Sequence, residues 1–250
     1  MLVVHQAHRI QTLVEVLAGR MSADPLGVLD VEWIVVESRG LARRLPLELS
    51  RRLGVTLRLG LPNPSAFIWD GLLRPFAGPG LERHSPWDKE ALAWRIATLL
   101  PQAPELAGPG APLMAGADGL TAARELGRRL ADLFDQYLVH RPGMLLAWQG
   151  DAHADLPGVA RAREAAEWAP WQKALWLRLR EDCPAPTRAD LMSRWLREAT
   201  PDHVRHLPGR VSLFNLRGLP QGQLMLLARL AEWRDLHVFL ANPAPEYPAG

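Results

Sequence analysis

Two residue types are nearly absent from this 250-residue chain. Cysteine occurs once, as Cys183, so no intrachain disulfide can brace the fold and a reducing compartment suits it. Lysine occurs twice, as Lys89 and Lys173, and the other 27 of the 29 basic residues are arginine. Long hydrophobic runs are missing too. No stretch of about 18 apolar residues occurs, so no membrane span is expected. The first 20 residues, interrupted by His5, His8, Arg9 and Glu15, lack the layout of a secretory signal. The expected location is cytoplasmic. Nor is there much net charge: 29 basic residues face 27 acidic ones, and a balance of +2 does not by itself call for a nucleic-acid partner. With 48% hydrophobic and 22% charged residues, disordered and fibrous architectures are excluded.

The shortage of lysine also excludes chemistry. Phosphate-binding loops need a glycine-rich turn whose N–H groups wrap the phosphates, and a lysine that reaches the terminal ones. The first strand-to-helix connector is His5-Gln6-Ala7-His8-Arg9, with neither residue, and no Gly-Lys pair exists anywhere. No Asp or Glu occurs between His203 and Ala231, where a magnesium-binding acidic pair would belong. Metal-dependent nucleases need clustered carboxylates, usually with a lysine two residues after an acid, and neither lysine is so placed. His203 and His206 stand three apart without a third ligand, and read as solvated loop histidines rather than a metal site. Neither ATPase nor nuclease activity is expected, and no catalytic residue, metal ligand or cofactor site is assigned.

What is present reads as an α/β protein. Residues 2–5 and 31–36 are short β-branched runs, and each is followed by a helical pattern, over 7–20 and 41–53. Pro46 should kink or restart the second helix. Residues 55–59 form a candidate third strand, and 64–76 a short helix opened by a proline. From 85 onward helices dominate: 85–100, with Ser85 as cap and Pro86 in its first turn, then 120–138, 159–180 divided at Pro170, and 188–198. Pro/Gly/Ala-rich linkers at 103–119 and 150–158 separate them. A strand at 210–216, a helix at 221–233 and a strand at 236–241 resume the earlier pattern. The expected division is an α/β domain over 1–84, an all-helical insertion over 85–206, and the α/β domain continued over 207–250. The sheet looks truncated, as in an N-terminal fragment of something longer.

Two features bear on binding. Between residues 39 and 58, Arg39, Arg43, Arg44, Arg51, Arg52 and Arg58 face only Glu48. Open α/β sheets bind ligands at strand ends, and a phosphate backbone matches an arginine-rich edge. A solvated helix face in an arginine-rich protein is an equal reading. Phe67 and Trp69 follow as candidate exposed aromatics that could stack unpaired bases, although a single Trp is more often core. Trp87 with Trp94, and Trp168 with Trp171, read as helix packing, as do Phe134 and Leu138.

Four segments together resemble one family. They are Val35-Val-Glu-Ser-Arg-Gly-Leu-Ala42, Pro64-Ser-Ala-Phe-Ile-Trp-Asp70, Ala131-Asp-Leu-Phe-Asp-Gln-Tyr-Leu-Val-His-Arg-Pro142 and Leu240-Ala-Asn-Pro243. They resemble the N-terminal part of the RecC family, the gamma subunit of exodeoxyribonuclease V, over essentially the whole chain and about the first quarter of a full-length member. The resemblance implies an inactive superfamily 1 helicase-like domain, a parallel sheet with flanking helices, interrupted by a helical insertion. It implies RecB-like and RecD-like partners that hold ATP and magnesium, and single-stranded and forked DNA as ligands. The role it implies is to scaffold the complex and scan the 3′-ended strand for the Chi sequence. Carried over by motif, the DNA-binding candidates are Glu37, Arg39, Arg43, Asn63, Trp69, Asp132, Leu133, Asp135, Arg141 and Arg188. Trp69, Asp132, Asp135 and Arg141 match the family pattern. Glu37 and Arg43 stand where Gln is expected, Arg39 where Thr is expected and Asn63 where Leu is expected, and these changes alter the donor and acceptor pattern offered to bases. Asp132 and Asp135 could instead pair with Arg128, Arg129 or Arg141. The competing reading is a protein-interaction module whose tryptophan-rich insertion docks a partner with no DNA contact.

Overall fold

The computed structural model of the chain describes residues 1–27, 29–56, 58–82, 84–114, 118–151 and 156–242. Two compact units are present. One comprises residues 1–76, 199–219 and 223–250, and the other residues 77–198 and 220–222.

The first unit is built on a five-stranded, all-parallel sheet of β1 (Leu2–Ala7), β2 (Glu32–Val36), β3 (Leu59–Gly60), β4 (Arg210–Phe214) and β5 (Asp235–Ala241), in the order β1-β5-β4-β2-β3. Parallel strands need crossovers, and helices supply them. The helix α1 (Ile10–Ala23) follows β1, and α2 (Arg39–Leu53) follows β2. Their apolar stripes, Leu13, Val14 and Leu17 on α1 and Leu45 and Leu49 on α2, cluster with Ile34, Val36, Phe214 and Phe239 of the sheet. The strand β4 is buried along its whole length, and β5 is buried at Leu236, His237 and Phe239.

Several expectations need correction here. The helix α2 runs unbroken through Pro46. A proline there removes one intrahelical hydrogen bond, and the buried Leu45 and Leu49 on either side hold the turn. The third strand covers only residues 59–60, not 55–59. Gly54 ends α2 with φ +80° and Arg58 has φ +56°, and pairing with β2 begins at Leu59; Leu57 lies outside the described residues. The segment expected as one short helix is α3 (Pro64–Ala66), a π-helical stretch (Phe67–Leu73) and α4 (Arg74–Ala77) in succession. In it Phe67 and Trp69 are buried, not exposed. His203 and His206 are not simply solvated: the His203 ring accepts from the Thr200 N–H at 3.1 Å and meets Phe76 edge-on, while His206 Nε2 lies 2.9 Å from the Gly71 carbonyl oxygen.

The described elements of the second unit are helical. They are α5 (Lys89–Leu99), α6 (Ala111–Met114), α7 (Gly119–His140), α8 (Pro142–Trp148), α9 (Ala162–Trp168), α10 (Pro170–Asp182) and α11 (Arg188–Glu198). The helix α12 (Gln221–Leu230) leads from β4 to β5. Pro170 divides α9 from α10 as expected. The first long helix begins at Lys89 rather than at Pro86, because Ser85 closes a turn with Asp88: the Asp88 N–H donates to the Ser85 carbonyl at 2.9 Å, and the Ser85 hydroxyl accepts from the Trp87 N–H. The linker expected over 103–119 contains a 3-10 helix, Pro104–Gly110, and α6; residues 115–117 and 152–155 lie outside the described residues. The core gathers Trp87, Phe134, Trp176 and Trp195, each at most 2% exposed. The Trp87 indole donates to the Ala185 carbonyl at 2.8 Å, with the guanidinium carbons of Arg95 and Arg180 4.5 and 5.3 Å from its ring centre. Trp94 and Trp168, expected in helix packing, are instead 64% and 84% exposed.

Candidate nucleic-acid interface

In a parallel sheet every strand delivers its following loop to the same edge, so the C-terminal ends of β1, β2 and β4 bring residues far apart in sequence together. At that edge β2 ends in Glu37, whose carboxylate accepts from the Arg217 N–H at 3.3 Å, tying the β2 loop to the loop after β4. Ser38 caps α2 by accepting from the Leu41 N–H. Arg39 then opens the helix and Arg43 follows one turn later, both exposed.

The first turn of α2 contains no acid, although the partial positive charge of a helix N-terminus favours one. Glu48 is engaged by Arg44, Arg51 and Arg52, at 3.7, 3.1 and 3.2 Å. Among the described residues Arg39 and Arg43 have no carboxylate within 4.0 Å. Two guanidiniums without an ion-pair partner and a helix N-terminus thus add their potentials on one exposed edge, against the single carboxylate of Glu37. Between the first turns of α1 and α2 lies a cavity of about 350 Å3, lined by His8, Arg9, Gln11, Leu41, Arg44 and Glu48. It occupies the place of a phosphate-binding loop but has Arg9 and His8 where such a loop has glycine and lysine.

Asn63 is an N-cap: its side-chain oxygen accepts from the Ala66 N–H at 2.8 Å and starts the helical segment that Pro64 enters. The residue itself is exposed. Trp69, in the π-helical stretch, is 9% exposed and so offers no free face for a base.

The other candidates belong to the second unit. Asp132, Leu133 and Asp135 sit partly exposed on α7. Asp132 pairs with Lys89 of α5, not with the arginines expected, because Arg128 and Arg129 are both held by Glu125, at 2.7 and 3.1 Å. The Asp132 carboxylate holds the Lys89 ammonium above the usual lysine range, and Asp135 adds a weaker pull in the same direction. Arg141, between α7 and α8, has its guanidinium carbon 5.7 Å from the Tyr137 ring centre. Arg188 donates to Asp88 at 2.9 Å and thereby fixes the start of α11 to the cap of α5. The structure therefore brings Glu37, Arg39 and Arg43 to one edge and Asp132, Leu133 and Asp135 to one helix, while Arg188 has a structural partner of its own.

Reading along the chain missed Lys89 as the partner of Asp132, and missed Trp94 and Arg124 as surface groups. The rarity of lysine was the available signal for the first. Among the described residues no cluster of three or more His, Cys, Asp or Glu could hold a metal, and no helix is long and apolar enough to cross a membrane. The exposed guanidiniums of Arg39 and Arg43 attract anions, while Asp132 and Asp135 make the α7 surface acidic.

Comparison with known proteins gives the family of the chain. The model of the RecC N-terminal domain matches residues 2–249. The RecBCD enzyme subunit RecC of Escherichia coli is 30% identical over 259 residues, covering 99% of this chain and 22% of that protein. Its Haemophilus influenzae counterpart is 28% identical, covering 99% and 24%, and that of Mycolicibacterium smegmatis 31% identical, covering 96% and 21%. The chain spans about a fifth to a quarter of the length of these relatives. A match of this extent, on a parallel α/β sheet and a helical unit, makes the chain a member of the RecC N-terminal domain family.

Proposed function

We propose that this chain is the DNA-handling and scaffolding part of a RecC-type subunit in a RecBCD-type helicase-nuclease that serves recombination repair of double-strand breaks. In this reading the first unit is a helicase-like domain that has lost its nucleotide site. ATP and magnesium belong to the RecB-like and RecD-like partners, and this chain guides the 3′-ended strand and takes part in scanning it for Chi. The observation that carries the reading is the exposed C-terminal edge of β2, where Arg39 and Arg43 stand without carboxylate partners at an acid-free helix start. Such an edge attracts a phosphate chain, while the connector His5-Gln6-Ala7-His8-Arg9 lacks the glycine and lysine needed to hold a nucleoside triphosphate.

The test is fluorescence anisotropy of a labelled single strand against the subunit assembled with its RecB-like and RecD-like partners, at two salt concentrations, with a matched duplex as control. Salt-dependent preference for the single strand, weakened by Arg39→Glu, supports the reading. Binding and Chi response unchanged by Arg39→Glu and Arg43→Glu together would overturn the assignment of this edge.

A further inference from the structure

Helices α5 and α7 approach closely at Gly127. A Cβ at that position would stand 2.8 Å from the Ala93 carbonyl oxygen and 3.1 Å from the Ala97 methyl. Along this contact runs a groove of about 260 Å3, lined by Ala93 and Ala97, by the Trp94 indole, and by Arg124, Arg128 and Glu90. Trp94 is 64% exposed, although an indole is among the most favourable side chains to bury. The Arg124 guanidinium carbon lies 5.8 Å from the Trp94 ring centre. Arg124 has no carboxylate within 4.0 Å among the described residues, whereas Arg128 shares Glu125 with Arg129.

The groove is continuous with the candidate surface on α7. Residues 124, 128 and 132 recur at intervals of four, so they form one stripe along the helix, with successive side chains about 6 Å apart. The Lys89–Asp132 pair therefore stands about one turn beyond Arg128.

We propose that the Trp94–Arg124–Arg128 groove binds one unpaired nucleotide, with its base against the Trp94 indole and its phosphate on Arg124 and Arg128. The proposal rests on the single-strand reading above and extends the strand path along α7 beyond Asp132. The chemistry favours a ligand that is flat and apolar on one side and anionic on the other. The methyl and Cα floor accepts a ring, the exposed indole offers a π face, and the unneutralised guanidinium beside it attracts a phosphate. Stacking of this kind tolerates any base, which suits a strand in transit.

The assembled complex would be challenged with a labelled thymidine oligonucleotide carrying a single photoreactive 5-iododeoxyuridine, and affinity would be measured in parallel. The expected results are a crosslink to the Trp94 peptide and a roughly tenfold loss of affinity in Trp94→Ala, with Trp94→Phe retaining most of it. Arg124→Gln should lower the slope of log affinity against log salt by about 0.7, as loss of one phosphate contact requires. Thermal melting of each variant, expected to be unchanged because both side chains are exposed, separates binding from folding. Wild-type affinity in Trp94→Ala alongside weakened binding in Arg39→Glu overturns this groove and leaves the edge assignment standing. Absence of single-strand binding in every form of the complex overturns both. Loss of partner subunits from Trp94→Ala with DNA affinity intact makes the groove a protein-docking surface and overturns the nucleotide proposal.

Discussion

Arg210 and Glu32, the first residues of neighbouring parallel strands, form a two-pronged ion pair at 2.9 and 2.6 Å in the interior of the sheet unit. Both are under 10% exposed, and Arg210 reaches on to the backbone and carboxylate of Asp24 at the end of α1. Glu32 holds the guanidinium above its usual range. Removal of Glu32 leaves the guanidinium in a poorly solvated place with only the largely exposed Asp24 carboxylate to offset it. Glu32→Ala is therefore expected to lower stability by about 3–5 kcal/mol. Chemical denaturation of the variant against the parent measures this, and a loss below about 1 kcal/mol would show that water reaches the pair.

His5 and His237 give the sheet unit a pH dependence. Their rings stack on adjacent strands, with His5 Nε2 3.1 Å from His237 Nδ1, and among the described residues the buried His237 Nε2 has no hydrogen-bond partner. Burial lowers both from the ordinary value of 6.5, and Arg20 pushes each further down; near His237, Arg210 acts in the same direction and Asp235 against it. The unfolded chain therefore binds more protons than the folded one as pH falls below about 6.5, so stability declines there. Melting temperature should drop between pH 7 and pH 5, and His237→Gln should flatten that slope. An unchanged slope in His237→Gln would place the dependence elsewhere.

Trp69 separates folding from binding. Because it is 9% exposed, Trp69→Ala is expected to cost about 3 kcal/mol or more through the cavity it leaves. Any loss of DNA affinity in that variant must be judged against its melting curve. Arg39→Glu, on an exposed helix start, should leave the melting temperature at or slightly above that of the parent, because an acid suits that position.

Gly127→Ala tests the α5–α7 contact. The added methyl meets a backbone carbonyl at 2.8 Å, which cannot rotate away as a side-chain tip can. Forcing the helices apart should cost about 1–3 kcal/mol, read by denaturation, while Gly19→Ala, where the new methyl meets nothing within 4 Å, should be neutral or stabilising.

Elements with a strong local pattern were legible in the sequence. The helix α11 was expected at the residues where it lies, 188–198, and the Pro170 division between α9 and α10 follows from one missing N–H. The helix α8 was not legible, because Pro142, Gly143, Met144, Leu145 and Leu146 are all buried and no polar face marks a period. The exposure of Trp94 and Trp168 was equally hidden. Seven-residue spacing puts Trp87 and Trp94 near one helix face, but the helix α5 starts only at Lys89, so Trp87 sits in the preceding turn. The arginine excess after β2 was readable as composition. That Glu48 would serve Arg44, Arg51 and Arg52, leaving Arg39 and Arg43 without carboxylate partners, depends on which turn of α2 each occupies.

The strand order β1-β5-β4-β2-β3 has a consequence for biosynthesis. Among the described residues β1 hydrogen-bonds only to β5, so it has no sheet neighbour until β5, at residues 235–241, has been made. The pairing of β2 with β4 likewise waits for about 175 further residues. The helical unit, nearly one continuous segment, closes its own long-range contacts, such as Trp87 with Ala185 and Asp88 with Arg188, before β4 is made, and can fold during that interval. Nascent chains stalled before β4 would then present β1 and β2 as bare sheet edges beside a finished helical body, which makes this stage of translation the one most exposed to misassociation.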